Sequence, residues 1–147
     1  MSGLNNLLRR LRADQAGAVA VEFGLLAIAM FTMLLGVLQV GIGMQNYNAI
    51  RSASADVARY TMVQYETGNK LELSQIRSYA LAAGQNAPYM LDFARLDATV
   101  ETAATQRVAG ATELTLEMTY TVPIIIGFLG IQEPQITYTR PIFLLED

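Results

Sequence analysis

Residues 15–30 read QAGAVAVEFGLLAIAM, an apolar stretch with a single carboxylate, Glu22. No charged residue follows between Phe23 and Ile50. These 28 residues would form a helix of roughly 42 Å at 1.5 Å per residue, more than the hydrocarbon thickness of a bilayer. The stretch therefore predicts a membrane-spanning helix, with its transmembrane part at about residues 23–43.

The helical pattern continues beyond the apolar run. Residues 44–62, MQNYNAIRSASADVARYTM, contain neither proline nor glycine. Their apolar positions recur at helical spacing, at Ile50, Ala53, Val57 and Tyr60. We therefore expect one long helix over residues 18–65, preceded by a basic leader at residues 1–17.

A stripe of small residues follows one face of this predicted helix. Ala29, Gly36 and Gly43 are seven residues apart and in line with Glu22, and such a stripe drifts only about 20° per heptad. Small residues allow close contact between helices in lipid, which favours a packing face. Glycine and alanine are also common in membrane helices generally, and the sequence supports both interpretations equally.

The remaining residues, 66–147, predict a small domain of mixed structure. A short helix is expected at Leu73–Ala83, with Ser74 as its N-cap and Gly84 as its stop. Polar and apolar residues then alternate from Leu96 to Glu101, in ELTLEMTYTV (113–122) and in PQITYTRPIFL (134–144), where Pro134 and Pro141 punctuate the third segment. The sequence thus predicts an α+β fold with a three- or four-stranded antiparallel sheet packed on the long helix.

The apolar run VPIIIGFLGI, residues 122–131, is too short to span a bilayer. We interpret it as a loop or helical turn that closes the core, in preference to a patch that meets lipid or a partner.

Composition argues against catalysis. The chain has no cysteine and no histidine, which removes thiolate chemistry, the commonest general base and the commonest metal ligand. Asp92, Asp97 and Glu101 are close in sequence, but the last two fall on the polar face of a predicted strand, so a solvated face is favoured over a metal site. We expect no enzyme activity, no cofactor and no metal.

Charge is divided between the two ends of the chain. The first 17 residues carry a net charge of +2, from Arg9, Arg10, Arg12 and Asp14, and the other 130 carry −5. A basic arm before a spanning helix favours a cytoplasmic N-terminus, which places the C-terminal domain in the periplasm. That domain contains one lysine, Lys70, so its composition gives no support to nucleic-acid binding.

Together, the arm and the motif GAVAVEF, Gly17 to Phe23, resemble the processing site of type IV pilin-like precursors. The resemblance implies a cut by a prepilin peptidase between Gly17 and Ala18, which makes Glu22 the fifth residue of the mature chain. AVAVEF and the segment SASADVARY are similar to the TadE-like proteins of tight-adherence (Flp) pilus systems. The chain's length and Phe23 are typical of a minor pilin or pseudopilin.

The resemblance implies a pilin-like fold and a role in pilus assembly and adhesion at the bacterial inner membrane. The implied partners are prepilin peptidase, other pilin and pseudopilin subunits, the inner-membrane assembly platform and the lipid bilayer. TadF-like proteins and type II secretion pseudopilins remain alternatives within the same group. An uncut, signal-anchored periplasmic binding or scaffold protein is the alternative outside it.

The position of Glu22 can also be explained without the resemblance, from the cost of a charge in a membrane. A carboxylate in the bilayer centre costs about 2.5–3.5 kcal/mol, and less near the interface, so a partner is expected. Cleavage would supply the α-amino group of Ala18, which is largely cationic at neutral pH. Pairing across subunits would set their axial register. Alternatively, Glu22 is an interfacial residue that marks the start of a signal anchor.

Overall fold

The computed structural model describes residues 16–125, 127, 130 and 132–145. The predicted leader, residues 1–17, therefore lies mostly outside the described residues. The chain divides into an N-terminal unit, Met1–Leu38, and a C-terminal unit, Gln39–Asp147. The elements, in chain order, are α1 (Ala16–Glu66), α2 (Leu73–Gln85), a short 3-10 helix (Phe93–Arg95), β1 (Leu96–Thr102), β2 (Ala111–Thr121) and β3 (Gln135–Leu145). The predicted α+β fold with a long N-terminal helix is confirmed.

The three strands form one antiparallel sheet in the order β1-β2-β3. Leu116 pairs with Val100 on one side and with Arg140 on the other. Alternate residues of β2 are buried, as the sequence pattern predicts, namely Leu114, Leu116, Met118 and Tyr120. The opposite face carries exposed or half-buried polar groups, among them Thr119 and Thr137, whose hydroxyl oxygens are 2.9 Å apart.

The second half of α1 supplies the other side of the core. Ile50, Ala53 and Val57 are fully buried, so the predicted helical spacing is confirmed at these positions. Tyr60 continues the series differently, because it is only half-buried and stacks on Tyr79 of α2 with ring centroids 3.9 Å apart.

The caps of α2 differ from those predicted. Ser74 lies inside the helix, and the N-cap is Glu72, which forms a capping box with Gln75. Gly84 is also inside the helix and is not its stop; it is buried, and a Cβ atom there would lie 2.6 Å from Leu96 Cδ2. The glycine therefore permits close packing between α2 and the start of β1.

Pro141 was expected to punctuate the third strand, but it lies within β3 opposite Thr115. A proline is tolerated there because β3 is an edge strand, where a missing N–H can face away from the ladder. Pro134 does precede the strand, and its carbonyl accepts a hydrogen bond from Val122 N–H at 2.9 Å.

A buried carboxylate organises the connection between β1 and β2. Glu113 is only 3% exposed, and it accepts hydrogen bonds from the Arg107 guanidinium, with Nε to Oε1 at 2.8 Å. The Arg107 backbone N–H also donates to Glu113, and the Gln106 side chain accepts from the Glu113 backbone N–H. The Arg107 side chain is the main cause that holds the pKa of Glu113 below its usual value of 4.5.

This pair makes stability depend on pH in a defined direction. A carboxyl group whose pKa is lower in the folded state stabilises the fold above its unfolded pKa, and the stabilisation is lost as the pH falls through the folded pKa. We expect Glu113→Gln to lower the thermal unfolding midpoint at pH 7, and the difference from wild type to shrink below pH 4.5. Near-ultraviolet circular dichroism of the full chain in detergent would measure it.

The matched control is Glu101→Gln, because Glu101 is exposed on β1 and forms no ion pair with any described residue. It should change the midpoint little at any pH. A wild-type advantage over Glu113→Gln that stays constant from pH 7 to pH 3 would contradict this account.

Candidate functional site

The N-terminal part of α1 exposes its apolar side chains. Within the described part of the N-terminal unit, most large apolar residues are about half to three-quarters exposed, among them Val19 (64%), Phe23 (73%), Met30 (71%) and Met33 (73%). Such a surface is unfavourable in water, at about 25 cal/mol per Å² of apolar area. The helix is long and apolar enough to cross a membrane. α1 is therefore suited to anchor the chain in a membrane.

The polar groups of this segment are few. The hydroxyl of Thr32 donates to the carbonyl of Ile28 at 2.8 Å, so it is satisfied inside the helix, as a lipid environment requires. Glu22 is exposed and forms no hydrogen bond or ion pair with another described residue. Glu22 is therefore a charged group whose partner would have to come from outside the described residues.

The residues predicted for processing and assembly lie near the start of α1. Gly17, Ala18, Glu22 and Phe23 are all helical and exposed. Because Ala18 and Glu22 are four residues apart, they occupy the same helix face one turn apart. The fold therefore brings the predicted new N-terminus and the carboxylate close together within one chain.

The predicted packing stripe is open. A Cβ atom added at Gly36 or Gly43 would meet no atom within 4 Å, and Ala29 is exposed. The same holds for Gly24 and Gly41, so openness in the single chain does not distinguish the stripe from other small positions. Its role as a contact face stays a prediction.

Sequence reasoning missed the role of Gln39, which belongs to the C-terminal unit. Its side-chain amide donates to the carbonyl of Pro123 at 3.0 Å and accepts from the backbone N–H of Ile125 at 2.9 Å. This fixes the start of the apolar run 122–131 against α1. The available signal was a lone amide in an apolar helix, where an unsatisfied polar group is costly.

Among the described residues of the apolar run 122–131, Val122 belongs to the core, and closure of the core by the rest of the run stays a prediction. Val122 is 1% exposed, Ile124 is half-buried and Ile125 is 45% exposed. Residues 126, 128, 129 and 131 lie outside the described residues.

The three carboxylates that were considered as a cation site are held separately. Asp92 caps the 3-10 helix by accepting from Ala94 N–H at 2.9 Å, and Asp97 pairs with Arg77 at 3.0 Å. Glu101 is exposed on β1. Among residues 16–125, 127, 130 and 132–145, no group of three or more histidine, cysteine, aspartate or glutamate side chains could hold a metal ion.

A second polar cluster joins α1 to the loop after α2. The hydroxyl of Tyr89 donates to Asp56 at 2.6 Å, and Arg59 lies 3.8 Å from the same carboxylate. The hydrogen bond to Asp56 is the main cause that raises the pKa of Tyr89 to about 12. A phenol held in its protonated form by an acceptor is a structural contact, because it offers neither a free base nor a nucleophile.

Comparison with known proteins identifies a family that resembles the start of the chain. The family model described as TadE-like protein matches residues 17–59, which is most of α1 and none of the sheet. No curated protein and no solved structure matches the chain. The matched segment begins at Gly17 and ends at Arg59, so it contains every residue singled out above for processing, assembly and helix packing. Residues 17–59, somewhat less than a third of the chain, are thus similar to the TadE-like family.

Proposed function

We propose that the chain is a minor pilin or pseudopilin that a prepilin peptidase cuts after Gly17 and that takes part in assembly of a Tad/Flp-type pilus. The observation that carries the proposal is the start of the TadE-like match at Gly17, the residue before the proposed cut. The protein is then the substrate of an enzyme and has no catalytic role of its own. Adhesion and surface attachment would follow from the pilus that it helps to build.

The exposed apolar surface of α1 supports storage in a membrane followed by packing against other helices. In the inner membrane, lipid covers these side chains. In a pilus, helices of neighbouring subunits take the place of lipid, so that apolar surface is never transferred to water. The partners are then prepilin peptidase, other pilin and pseudopilin subunits and the assembly platform.

An ion pair of Glu22 would fix the axial position of neighbouring helices relative to one another. Removal of the leader creates an α-amino group at Ala18, with a pKa of about 7.7–8.0 in model peptides. Its own Glu22 lies one turn away, and the amine of a neighbouring subunit reaches the same carboxylate if the two helices are staggered. An ion pair in an apolar surrounding is favoured because leaving either charge unpaired is costly.

The charge distribution supports one orientation in the membrane. The basic arm stays in the cytoplasm, α1 crosses the inner membrane once, and the acidic C-terminal unit lies in the periplasm. The uncut signal-anchored binding or scaffold protein is the second candidate, because the described part of α1 would serve equally as a permanent anchor. A type II secretion pseudopilin is a variant of the first proposal with a different assembly.

Processing is tested by the mass of the mature chain. Co-expression with the cognate peptidase should remove 17 residues and leave Ala18 at the N-terminus, and Gly17→Leu should block the cut because a bulky side chain then occupies the position before the scissile bond. Gly24→Leu is the matched control and should leave processing normal, since a Cβ atom at either glycine meets nothing within 4 Å. An intact leader in the wild-type chain would defeat the proposal.

Topology is tested with a reporter that is active only in the periplasm, such as alkaline phosphatase, fused after Asp147. The proposed orientation requires activity from this fusion and none from a fusion placed before the apolar run, at Ala13. The reverse pattern would exclude the pilin-like role, since the C-terminal unit would then be on the wrong side of the membrane.

Assembly is tested with substitutions at the carboxylate. Glu22→Ala and Glu22→Gln should leave cleavage and insertion intact, because losing a charge makes the helix easier to insert. Both should reduce the number of pili by about tenfold or more, as expected for the loss of about 1.4 kcal/mol per contact between subunits. Pilus counts and co-purification with other subunits are the measurements. Normal pili from both variants would leave the anchor interpretation standing.

The packing stripe has a matched control on the same helix. Gly36→Leu should weaken assembly sterically, whereas Gly41→Leu should not. Gly41 lies two residues before Gly43, and two residues turn an α-helix by about 200°, so Gly41 is on the opposite face of the helix. Equal effects of the two substitutions would show that the stripe is not the contact face.

A further inference from the structure

A shallow groove opens between α1 and β3 in the C-terminal unit. Its volume is about 310 Å³ and nearly all of its lining is apolar. The lining residues are Val40, Gly43, Met44, Tyr47, Asn48 and Ile136. Val40 is 63% and Met44 64% exposed, so these walls are not covered by the described chain. We call this the α1–β3 groove.

An aromatic and cationic group borders the groove. The rings of Tyr47 and Tyr138 meet edge to face, with centroids 5.9 Å apart, and the Arg140 guanidinium lies over the Tyr138 ring at 5.4 Å. Arg140 Nε donates to Ser54 Oγ at 3.0 Å, and its Nη2 lies 3.5 Å from the carbonyl of Arg51. These contacts place the Arg140 guanidinium beside the backbone of Arg51, whose own side chain is exposed.

Neither arginine has an anionic partner in the described chain. No carboxylate of the described residues forms an ion pair with Arg51 or Arg140, although other arginines, such as Arg77 and Arg107, do pair with carboxylates. The acceptors of Arg140 are a hydroxyl, a phenol oxygen and a carbonyl, all neutral. The site therefore retains a positive charge that an external anion would neutralise.

The position of the groove along α1 indicates which anion. The uncharged run that begins at Phe23 ends at Ile50, and Arg51 is the first charged residue after it. The groove occupies the last turns of that run, immediately before the arginines. Apolar walls, then tyrosines, then arginines follow the order of acyl chains, glycerol and phosphate across the surface of a bilayer. Guanidinium groups match phosphate oxygens in geometry and charge.

We propose that this face of the C-terminal unit docks on the phospholipid surface, with lipid chains in the α1–β3 groove and lipid phosphate bound by Arg51 and Arg140. The inference rests on membrane anchoring by α1 and is independent of processing and of a pilus. Docking would hold the sheet against the bilayer before assembly, and would have to be released when the subunit leaves the membrane. A helix from a second copy is the competing occupant.

The chain has no tryptophan, so one can be introduced as a unique fluorescent probe. Tyr138→Trp in the full chain, reconstituted at high dilution into phosphatidylglycerol and phosphatidylcholine vesicles, places the probe at the proposed interface. Lipids brominated near the glycerol end of their chains should reduce its emission by about twofold or more, and lipids brominated near the methyl end should reduce it less, as expected for shallow burial. Equal emission with and without bromine would overturn the proposal.

The matched control is Tyr79→Trp. Tyr79 stacks on Tyr60, which is 13 residues beyond Tyr47 and thus about 20 Å farther along α1, so this probe should not be quenched. Quenching of both probes to the same extent would indicate general contact with lipid and would overturn a specific docking face. Quenching that requires crowded vesicles, with crosslinks between copies, would assign the groove to a second chain.

The phosphate contact is tested in the Tyr138→Trp background. Arg51→Gln is the primary variant, because Arg51 is exposed and its side chain has no ion pair in the described chain. It should reduce the docked fraction in anionic vesicles and weaken its salt dependence, with an equilibrium change of about fivefold. Arg140→Gln should do the same. Exposed Arg59→Gln is the control, and a loss equal to that of Arg51→Gln would overturn the assignment of the phosphate site.

Because these measurements use the purified chain in lipid alone, their failure leaves the prepilin proposal untouched. Conversely, an uncut chain that fails to form pili would still be able to dock.

Discussion

The structure depends first on the need to cover the apolar side chains of α1. From Val19 to Val40 most large side chains of the helix are exposed, and each that leaves water stabilises the protein by about 1.5–3 kcal/mol. The described chain does not provide that cover. A membrane or a set of neighbouring helices must therefore complete the N-terminal unit, and this requirement precedes any question about the sheet.

The C-terminal unit meets the same requirement internally. Its share of α1 turns Ile50, Ala53 and Val57 toward the sheet, where they are fully buried with Leu116 and Met118. The apolar side chains of α1 are thus exposed in its first part and buried against the sheet in its second part. The change from exposed to buried side chains occurs between Met44 and Ile50. The α1–β3 groove lies in this transition, which is why its walls are apolar and still open.

Local patterns in the sequence predicted much of this fold. Strict alternation in β2 and the three- and four-residue spacing in α1 each report on one element, and both gave the correct buried faces. The errors arose where distant residues decide the outcome. Gly84 was taken as a helix stop because its packing against Leu96 is invisible in the local sequence. Pro141 was expected to punctuate the third strand, whereas the strand continues through it because it lies at the edge of the sheet, which is a property of the whole sheet.

The functional residues also differ in whether the sequence alone could identify them. The motif from Gly17 to Phe23 is contiguous, so its residues could be identified in advance, and the fold adds only that they share the start of one helix. Gln39, Arg140 and Ser54 could not be grouped, because their hydrogen bonds join positions 84 or 86 residues apart. Nothing in either segment alone specifies which residue of the other it will meet.

Two carboxylates differ in whether the described chain itself supplies their partner. Glu113 is buried on β2, and Arg107 six residues away neutralises it, so the pair is complete within the fold and lowers the pKa of Glu113. Glu22 lies in an apolar helix and pairs with no described residue. If the chain is cut after Gly17, the amine of Ala18 becomes the cation that Glu22 needs. Under the proposed function that amine exists only in the processed chain, so this ion pair would form only after cleavage.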